Sequence, residues 1–472
     1  MGQPQEKEEV FGNAWLTMEE EEKRRAFEFA AGYIEFLNRA KTERETATFI
    51  ERAVHEQGFL DLGKCETLKA GQKVYVKQKG KIAAVAVIGQ EPLEKGFNII
   101  ASHLDSPRLD LKPRPLYEKD GMVWLKTHYY GGIKKYQWTA IPLALHGIVV
   151  RKNGTKLIVR LGDQECEPVF TVPDLLPHLA REQMEKKMSE AVSGEGLNLL
   201  AGNIPGSEAE KEAIKAAILK RLRQEYGIEE EDFASAELEA VPVFRARDVG
   251  FDRSMVGGYG QDDRVSVYTS LKAILEVEEP PRTAMCIFAD KEEIGSTGNT
   301  GLRSYFLENL AAEMLFRVGQ REYLSVRRAL ASSRALSADV NAAVDPNYEQ
   351  VFEKMNNSFL GRGVVITKYT GSKGKYDAND ANPEFVAWVR QLFDANGVVW
   401  QVGELGKVDE GGGGTVAQYL ARYGMEVLDC GVALLAMHSP FEVASKADIY
   451  HAYKGYKAFL MAGDPTYEPS WW

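Results

Sequence analysis

The arrangement of strand-like and helix-like segments is the feature that most limits the fold of this chain. Apolar runs such as KIAAVAVIG, FNIIASHLD, TAMCIFAD and MEVLDCGVALL have the character of strands buried on both faces. Amphipathic helical segments alternate with such runs, beginning with two helices between about residues 18 and 58. This alternation predicts an α/β fold.

The middle of the chain departs from this alternation. The segments LYEKDGMVWLKTHYY, IPLALHGIVVRKNG and TKLIVRLGD are typical of strands joined by turns, without helices between them. A polar stretch and a charged helix follow, and strand and helix alternate again after residue 258. We therefore predict a catalytic α/β domain formed by residues 1–111 and 251–472, with an inserted β-rich domain at residues 112–250.

The composition and charge of the 472-residue chain argue against several classes of function. Its formal net charge of −11 disfavours nucleic-acid and membrane-surface partners, because Lys and Arg mediate both kinds of binding. The sequence contains no run of about 18 apolar residues, and its start does not resemble a signal peptide. The four cysteines form no CxxC pair, so we predict reduced thiols and a cytoplasmic location.

Side chains that can bind metal end several of the predicted strands and strand–helix junctions. Because sites in open α/β sheets lie at the carboxyl ends of the strands, we expect these side chains to lie close together. Five of them provide two imidazoles and three carboxylates: His103, Asp262, Glu293, Asp339 and His438. Such a hard nitrogen and oxygen ligand set suits two zinc, cobalt or manganese ions.

Two further acidic residues lie beside these candidate ligands. Asp105 follows His103 by two residues and projects to the same side of an extended chain, where its carboxylate can orient the imidazole. Glu292 precedes Glu293 and points to a different side, from which it can act as a general base toward water. Asp262 also opens a predicted helix, so helix capping is an alternative explanation for that carboxylate. The chemistry that this set predicts is hydrolysis of an amide or an ester.

The order of five motifs along the chain resembles that of a known family. The motifs SHLDSP, YGQDDR, DKEEIGS, SADVNAAVDPNY and AMHSPFEVASKADI resemble those of the aspartyl aminopeptidase and aminopeptidase I family of dinuclear zinc metallopeptidases, over nearly the whole chain. The resemblance implies a three-layer α/β/α catalytic domain with a mixed sheet and an inserted β-rich oligomerisation domain, commonly in a tetrahedral dodecamer. It also implies two divalent metal ions, with zinc favoured, and peptide substrates with an acidic N-terminal residue.

Matched residue by residue, the resemblance implies a role for each candidate site residue. The implied roles are terminal metal ligands for His103, Glu293, Asp339 and His438, a bridging ligand for Asp262, the general base for Glu292, and an orienting carboxylate for Asp105.

Two further positions are candidates for substrate contacts. The segment VPDLLPHL resembles a family stretch whose second histidine reaches a neighbouring subunit's active site, which implies that role for His178, although Asp174 replaces the first histidine. Lys368 lies in the loop KYTGSKGKYD and could contact an acidic side chain or a carboxylate. An ordinary surface position is the alternative for both. Asn341 and Asp345 stand where the family usually has histidines, so the substrate pocket is expected to differ from that of strictly aspartyl-preferring members.

Three functions fit these observations. The leading one is a metal-dependent aminopeptidase acting on peptides. The same ligand set could serve a related dinuclear carboxypeptidase or N-deacylase, and the chain could also be a self-assembling cargo or scaffold protein with a vestigial metal site. The presence of Glu292 beside a full ligand set favours an enzyme, because a binding protein has no physical need for an adjacent base.

Overall fold

The computed structural model describes residues 12–206 and 212–464. Within these ranges the α-helices are α1 (Ala14–Thr17), α2 (Glu20–Arg39), α3 (Glu43–Glu56), α4 (Arg181–Met184), α5 (Met188–Ala191), α6 (Ala213–Arg221), α7 (Gln261–Leu275), α8 (Phe306–Arg317), α9 (Tyr323–Ala331), α10 (Pro383–Ala395), α11 (Ala417–Ala421) and α12 (Lys446–Leu460). The strands are β1 (Leu60–Asp61), β2 (Lys73–Gln78), β3 (Ile82–Val87), β4 (Phe97–His103), β5 (Arg108–Lys119), β6 (Met122–Tyr130), β7 (Leu143–Val150), β8 (Lys156–Leu161), β9 (Leu199–Gly202), β10 (Ala236–Pro242), β11 (Arg247–Val249), β12 (Met255–Gly258), β13 (Thr283–Ala289), β14 (Arg334–Ser337), β15 (Asn341–Ala342), β16 (Val364–Thr367), β17 (Gly371–Ser372), β18 (Trp400–Val402), β19 (Gly412–Gly413), β20 (Glu426–Gly431), β21 (Ala433–Leu435) and β22 (Glu442–Ser445).

The chain divides into two compact units. The first unit consists of the described residues up to Asp105, Ala246–Met437 and the described residues from Glu442 onward. The second unit consists of Ser106–Arg245 and His438–Phe441. The domain boundaries predicted from the sequence lie at residues 111 and 250.

A nine-stranded mixed sheet forms the centre of the first unit. Its strand order is β1-β2-β3-β13-β4-β14-β20-β16-β18. The four neighbouring strands β13, β4, β14 and β20 run parallel, whereas β3 and β16 pair antiparallel at the two sides of this group. The predicted α/β fold is therefore confirmed.

Alternate residues of the central strands enter two different hydrophobic cores. Ile100 of β4 and Cys286 of β13 pack into one core together with side chains of α2, α3, α7, α10 and α12. Ile99 and Met285, the preceding residue in each strand, pack into the other core with side chains of α8, α9 and α11. Helices thus cover both faces of the sheet, which explains why these strands are almost continuously apolar.

The two predicted N-terminal helices are present, and their sequence shows where the second one begins. The Thr42 hydroxyl accepts a hydrogen bond from Glu45 N at 3.3 Å, and Glu45 Oε2 accepts one from Thr42 N at 3.2 Å. This reciprocal pair is a capping box, which satisfies N–H groups that the first turn of a helix leaves without partners.

No helix within the described ranges is long and apolar enough to cross a membrane.

The second unit contains a six-stranded antiparallel sheet. Its order is β8-β7-β10-β5-β6-β9. A β-bulge interrupts the pairing of β5 with β6 between Leu111 and Leu116. Side chains of this sheet and of α6, among them Leu125, Leu145 and Ile218, line an apolar cavity of about 500 Å³. The insertion of a β-rich segment into an α/β chain is therefore confirmed.

Candidate metal centre

Four candidate site residues of the first unit lie at or just beyond the ends of three parallel strands of the nine-stranded sheet. His103 is the last residue of β4, and Asp339 lies two residues beyond the end of β14. Glu292 and Glu293 open a short 3-10 turn, Glu292–Ile294, three residues beyond the end of β13. Because the strands are parallel neighbours, their carboxyl ends meet at one edge of the sheet, as the sequence predicted.

The buried imidazole of His103 lies close to most of the other candidate residues of this centre. Its Nε2 lies 3.2 Å from Asp262 Oδ1, 3.8 Å from Asp339 Oδ1 and 4.0 Å from Glu292 Oε2. Its Nδ1 lies 3.0 Å from the carbonyl oxygen of Asp105 and 3.3 Å from Asp105 Oδ1. When Nδ1 donates its proton to Asp105, Nε2 keeps its lone pair, which is the tautomer that a metal ligand needs.

Two overlapping groups of potential ligands share His103. One consists of His103, Glu292 and Asp339, and the other of His103, Asp262 and Glu293, with the ligand atoms of each group within 4.8 Å of one another. Imidazole nitrogen and carboxylate oxygen are ligands that zinc accepts. The described residues of the first unit therefore fit a zinc centre by their chemistry.

Asp105 has a role that the sequence did not reveal. Its Oδ1 accepts a hydrogen bond from Glu292 N at 3.1 Å, and its Oδ2 accepts one from Glu293 N at 3.2 Å. The same carboxylate lies beside the His103 ring. One fully buried side chain therefore holds both the imidazole and the main chain that carries Glu292 and Glu293.

Asp262 and Asp263 lie at the start of α7, with backbone angles that are not helical and a cis peptide bond between them. Gly260 precedes this helix, and helix capping stays an alternative explanation for Asp262. The two side chains contact opposite ends of one residue: Asp262 reaches the His103 ring, and Asp263 Oδ2 accepts a hydrogen bond from His103 N at 3.2 Å. No functional role was predicted for Asp263 from the sequence.

Glu442 is a second residue that sequence reasoning missed. This buried carboxylate accepts hydrogen bonds through Oε2 from Gln261 N at 2.5 Å and from Asp262 N at 3.3 Å. Glu442 lies within the motif AMHSPFEVASKADI, but the position of a residue in a motif does not tell which main-chain groups it contacts.

Crowding of acidic groups in a buried centre changes their protonation. Burial, together with repulsion from Asp339, raises the pKa of Glu292 to about 8. Burial and repulsion from Asp262 raise the pKa of Asp339 to about 7. Burial alone would lower the pKa of His103, but the hydrogen-bonded carboxylates of Asp105 and Asp262 outweigh it and hold this pKa well above its ordinary value. A divalent cation would relieve this repulsion and displace protons.

His438 belongs to the second unit and is not a member of either group of ligand atoms found among the described residues. Its Nδ1 lies 2.7 Å from the carbonyl oxygen of Gly132, which belongs to the same unit. A proton donated from Nδ1 to this carbonyl leaves the lone pair on Nε2. The ligand role that the resemblance implies for His438 stays a prediction.

The two candidate substrate contacts lie at the surface of their units. Lys368 forms an ion pair with Asp380, which also pairs with Lys375 at 2.8 Å. His178 lies in an exposed 3-10 turn, Pro177–Leu179, of the second unit. Their predicted contacts with substrate stay predictions.

Comparison with known proteins identifies the family. A sequence profile described as "Aminopeptidase I zinc metalloprotease (M18)" matches residues 36–460. The chain belongs to the M18 aminopeptidase family. The resemblance drawn from the five motifs is confirmed, and the enzyme is an aminopeptidase of a zinc metalloprotease family.

Relatives and solved structures agree with this membership. A probable M18 family aminopeptidase 1 from Clostridium acetobutylicum is 51% identical over 455 residues, which cover 95% of this chain and 98% of the relative. A crystal structure of an M18 aminopeptidase from Thermotoga maritima is 46% identical and superimposes with a TM-score of 0.92, covering 95% of this chain and 98% of that one. The crystal structure of aminopeptidase I from Clostridium acetobutylicum is 49% identical, with a TM-score of 0.89 and the same coverage.

More distant structural neighbours include an oligomeric assembly. The mApe1 dodecamer of S. cerevisiae is 21% identical and has a TM-score of 0.73, covering 92% of this chain and 95% of that one. At this identity the likeness shows a shared fold alone.

Proposed function

We propose that this M18 aminopeptidase removes N-terminal residues from peptides at a centre of two zinc ions, with Glu292 as the general base. The observation that supports this most directly is the pair of overlapping groups of potential ligands around His103, one of which includes Glu292. Imidazole and carboxylate ligands in this number accommodate two divalent ions, and cobalt or manganese could occupy the same ligands.

The proposed ligands divide between the two ions. Asp262 would bridge the ions, with His103, Glu293, Asp339 and His438 as the terminal ligands implied by the family resemblance. When bound, zinc supplies Lewis acidity toward a scissile carbonyl and a water molecule. The side chains of the first unit would hold the ions through oxygens and a nitrogen that are buried or half-buried, away from competing water.

Glu292 would transfer a proton from water to the leaving amine. Its carboxylate takes a proton from the attacking water and later delivers it to the leaving amine, which is general base and then general acid catalysis. Burial and Asp339 raise the pKa of Glu292 to about 8 in the metal-free centre, and bound cations would lower this pKa and so favour the carboxylate form that a base needs. Asp105 supports this role, because it holds the Glu292 N–H group at 3.1 Å.

Substrate preference and assembly form the second part of the proposal. We expect an acidic N-terminal residue to be preferred, with Lys368 near the substrate's acidic groups and His178 reaching a neighbouring active site. We also expect a cytoplasmic homo-oligomer in which the β-rich unit contributes to assembly, a tetrahedral dodecamer being the form that the family resemblance implies. The dodecameric S. cerevisiae neighbour, which shares the fold, supports this expectation.

The decisive experiment compares blocked and free substrates. Metal-stripped protein is assayed before and after addition of zinc, cobalt or manganese, with p-nitroanilides of Asp, Glu, Leu and Lys and their N-acetylated forms. Metal-restored cleavage of the free substrates alone is the expected result. Release of acetate from the N-acetylated substrates would favour the deacylase alternative, and release of C-terminal residues from peptides would favour the carboxypeptidase alternative. Bound zinc is counted by inductively coupled plasma mass spectrometry, with two ions per chain expected.

A further inference from the structure

The chain segments that carry the metal ligands leave several main-chain N–H groups without local acceptors. Helix α7 and the 3-10 turn Glu292–Ile294 each begin one residue before a candidate ligand, Asp262 and Glu293, and the first N–H groups of any helix have no partner within the helix. The N-cap residue Gly260 has no side chain, and the N-cap residue Lys291 makes no capping hydrogen bond through its side chain. These N–H groups therefore need acceptors from other parts of the chain.

A third such N–H group belongs to His103. The pairing of β4 with β14 ends at Ala101 and Ser337, whereas on the other side β4 still pairs with β13 at His103. The N–H group of His103 therefore lies beyond the last pair with β14, and it donates to Asp263 Oδ2 at 3.2 Å instead.

In all three places the acceptor is a buried carboxylate. Asp105 accepts from Glu292 and Glu293, Glu442 from Gln261 and Asp262, and Asp263 from His103. The three carboxylates come from different segments of the chain, so only the folded protein brings them to the N–H groups that they bind.

We propose that Glu442 and Asp263 are positioning residues of the metal centre, whose carboxylates fix the main chain of Asp262 and His103 and so aim both ligand side chains before metal binds. This inference rests on the proposed function, since it concerns the same ligands. Neither residue touches the reacting atoms in this scheme. They act through Asp262 and His103.

Glu442 is well placed for this role because it holds the chain beside Asp262 in two ways. In addition to the bonds made by its carboxylate, its carbonyl oxygen accepts a hydrogen bond from Gln261 Nε2 at 2.7 Å. The same Nε2 donates to Val256 O at 3.1 Å, and Gln261 Oε1 lies 3.3 Å from the Tyr33 hydroxyl. Gln261 is thus held at its main chain and at both ends of its side-chain amide, which restricts the direction of the next residue, Asp262.

The orientation of the Asp262 carboxylate matters because its two oxygens would have to face two ions. In two-metal sites the ions lie about 3.5–4 Å apart, so a small rotation of the bridging carboxylate weakens one of the bonds. Residues that orient metal ligands typically change metal affinity or activity by about 10- to 100-fold when they are replaced. We expect changes of this size for Glu442 and Asp263.

The test needs to separate positioning from general stabilisation, and the chain offers a matched control. Asp448 is also a fully buried carboxylate, and it accepts hydrogen bonds from Gly361 N and Gly363 N, both at 2.7 Å. Its donors are not ligand-bearing residues. Replacement of Asp448 by Asn, like Glu442→Gln and Asp263→Asn, exchanges one carboxylate oxygen for an amide N–H₂ group and so weakens the same kind of interaction, here without touching the proposed centre.

The experiment compares Glu442→Gln, Asp263→Asn and Asp448→Asn with wild type. Each full-length protein is stripped of metal and titrated with Co²⁺, and the binding constant and the visible absorption spectrum are recorded together with the melting temperature. We expect Glu442→Gln and Asp263→Asn to bind Co²⁺ about 10- to 100-fold more weakly with an altered spectrum. Asp448→Asn should lower the melting temperature but keep the wild-type affinity and spectrum.

The results distinguish failure of this inference from failure of the proposed function. Wild-type affinity and spectrum in Glu442→Gln and Asp263→Asn, with losses of melting temperature like that of Asp448→Asn, would overturn the inference and leave the proposed function intact. If Glu442→Gln does not fold, Asp263→Asn decides by the same criteria. A wild-type protein that binds no Co²⁺ would instead contradict the proposed function itself.

Discussion

Gly431 lies directly against the main chain of Asp339. A Cβ atom built on Gly431 would be 1.8 Å from the carbonyl oxygen of Asp339, a distance that no real contact tolerates. Gly431 ends β20, which pairs with β14 just before the chain turns to Asp339. The position of this candidate ligand therefore depends on a glycine in the neighbouring strand.

We predict that Gly431→Ala displaces Asp339. Because the clash is with main chain rather than with a flexible side chain, the backbone must shift, and overpacking of this kind costs about 1–3 kcal/mol of folding free energy. Zinc content and melting temperature should both fall. Gly374→Ala is the control, since the nearest atom to its added Cβ lies 3.8 Å away. Full zinc content in Gly431→Ala would show that Asp339 does not need this close approach.

Glu292→Gln should separate catalysis from metal binding. The amide cannot take a proton from water, and loss of a general base typically reduces turnover by about 10²- to 10⁴-fold. Zinc content should stay at the wild-type value, whereas Glu293→Gln should lose zinc because Glu293 is an expected ligand. Turnover equal to wild type in Glu292→Gln would remove Glu292 from the role of base.

Asp262→Ala should abolish stable binding of both ions. A bridging carboxylate provides a ligand atom to each ion, so its removal weakens the binding of both ions together. His438→Ala removes a terminal ligand and should weaken the binding of one ion only. Inductively coupled plasma mass spectrometry after gel filtration measures the zinc retained per chain. Retention of one zinc ion by Asp262→Ala would contradict the bridging role.

The metal-free protein should become less stable as the pH rises from about 5 to about 8. The pKa of Glu292 is raised from 4.5 to about 8, that of Asp339 from 3.8 to about 7, and that of His103 well above 6.5. All three groups therefore bind more protons in the folded than in the unfolded state, so the unfolding free energy falls with rising pH, by about 1.4 kcal/mol per pH unit for each proton.

Melting temperatures at several pH values test this expectation. Asp339→Asn should flatten the decline, because it removes one acidic group and relieves Glu292. The control, Asp380→Asn, changes an exposed carboxylate and should keep the wild-type slope. Added zinc should raise the melting temperature more at pH 8 than at pH 6.5. Stability that rises with pH in the metal-free protein would mean that these groups are ionised in the folded state.

Lys368→Ala should affect substrate binding without affecting stability. Its ion pair with Asp380 is exposed, and such pairs contribute about 0–1 kcal/mol. If Lys368 contacts acidic substrates, the KM for Asp and Glu p-nitroanilides should rise while that for Leu stays the same. Equal KM values in the variant and the wild type for all three substrates would leave Lys368 as a surface residue.

The sequence predicted the parts of the fold that depend on neighbouring residues. The two N-terminal helices were expected between residues 18 and 58, and they lie at Glu20–Arg39 and Glu43–Glu56, where amphipathic spacing and a capping box act within a few residues. The strand ends that carry His103 and Asp339 could also be read from the chain, because an apolar run that ends in a polar residue is a local pattern.

The contacts that hold the candidate ligands in place were decided by the tertiary structure alone. Glu442 and Gln261 are separated by 181 residues, and Asp263 and His103 by 160 residues. The residue types alone showed which side chains can bind a metal ion or transfer a proton, namely those of His103, Asp262, Glu292, Glu293 and Asp339. Which buried N–H groups lack a local acceptor, and which carboxylate reaches them, follows only from strand order and helix placement, because hydrogen bonds of about 3 Å require an arrangement in space that no spacing along the chain specifies.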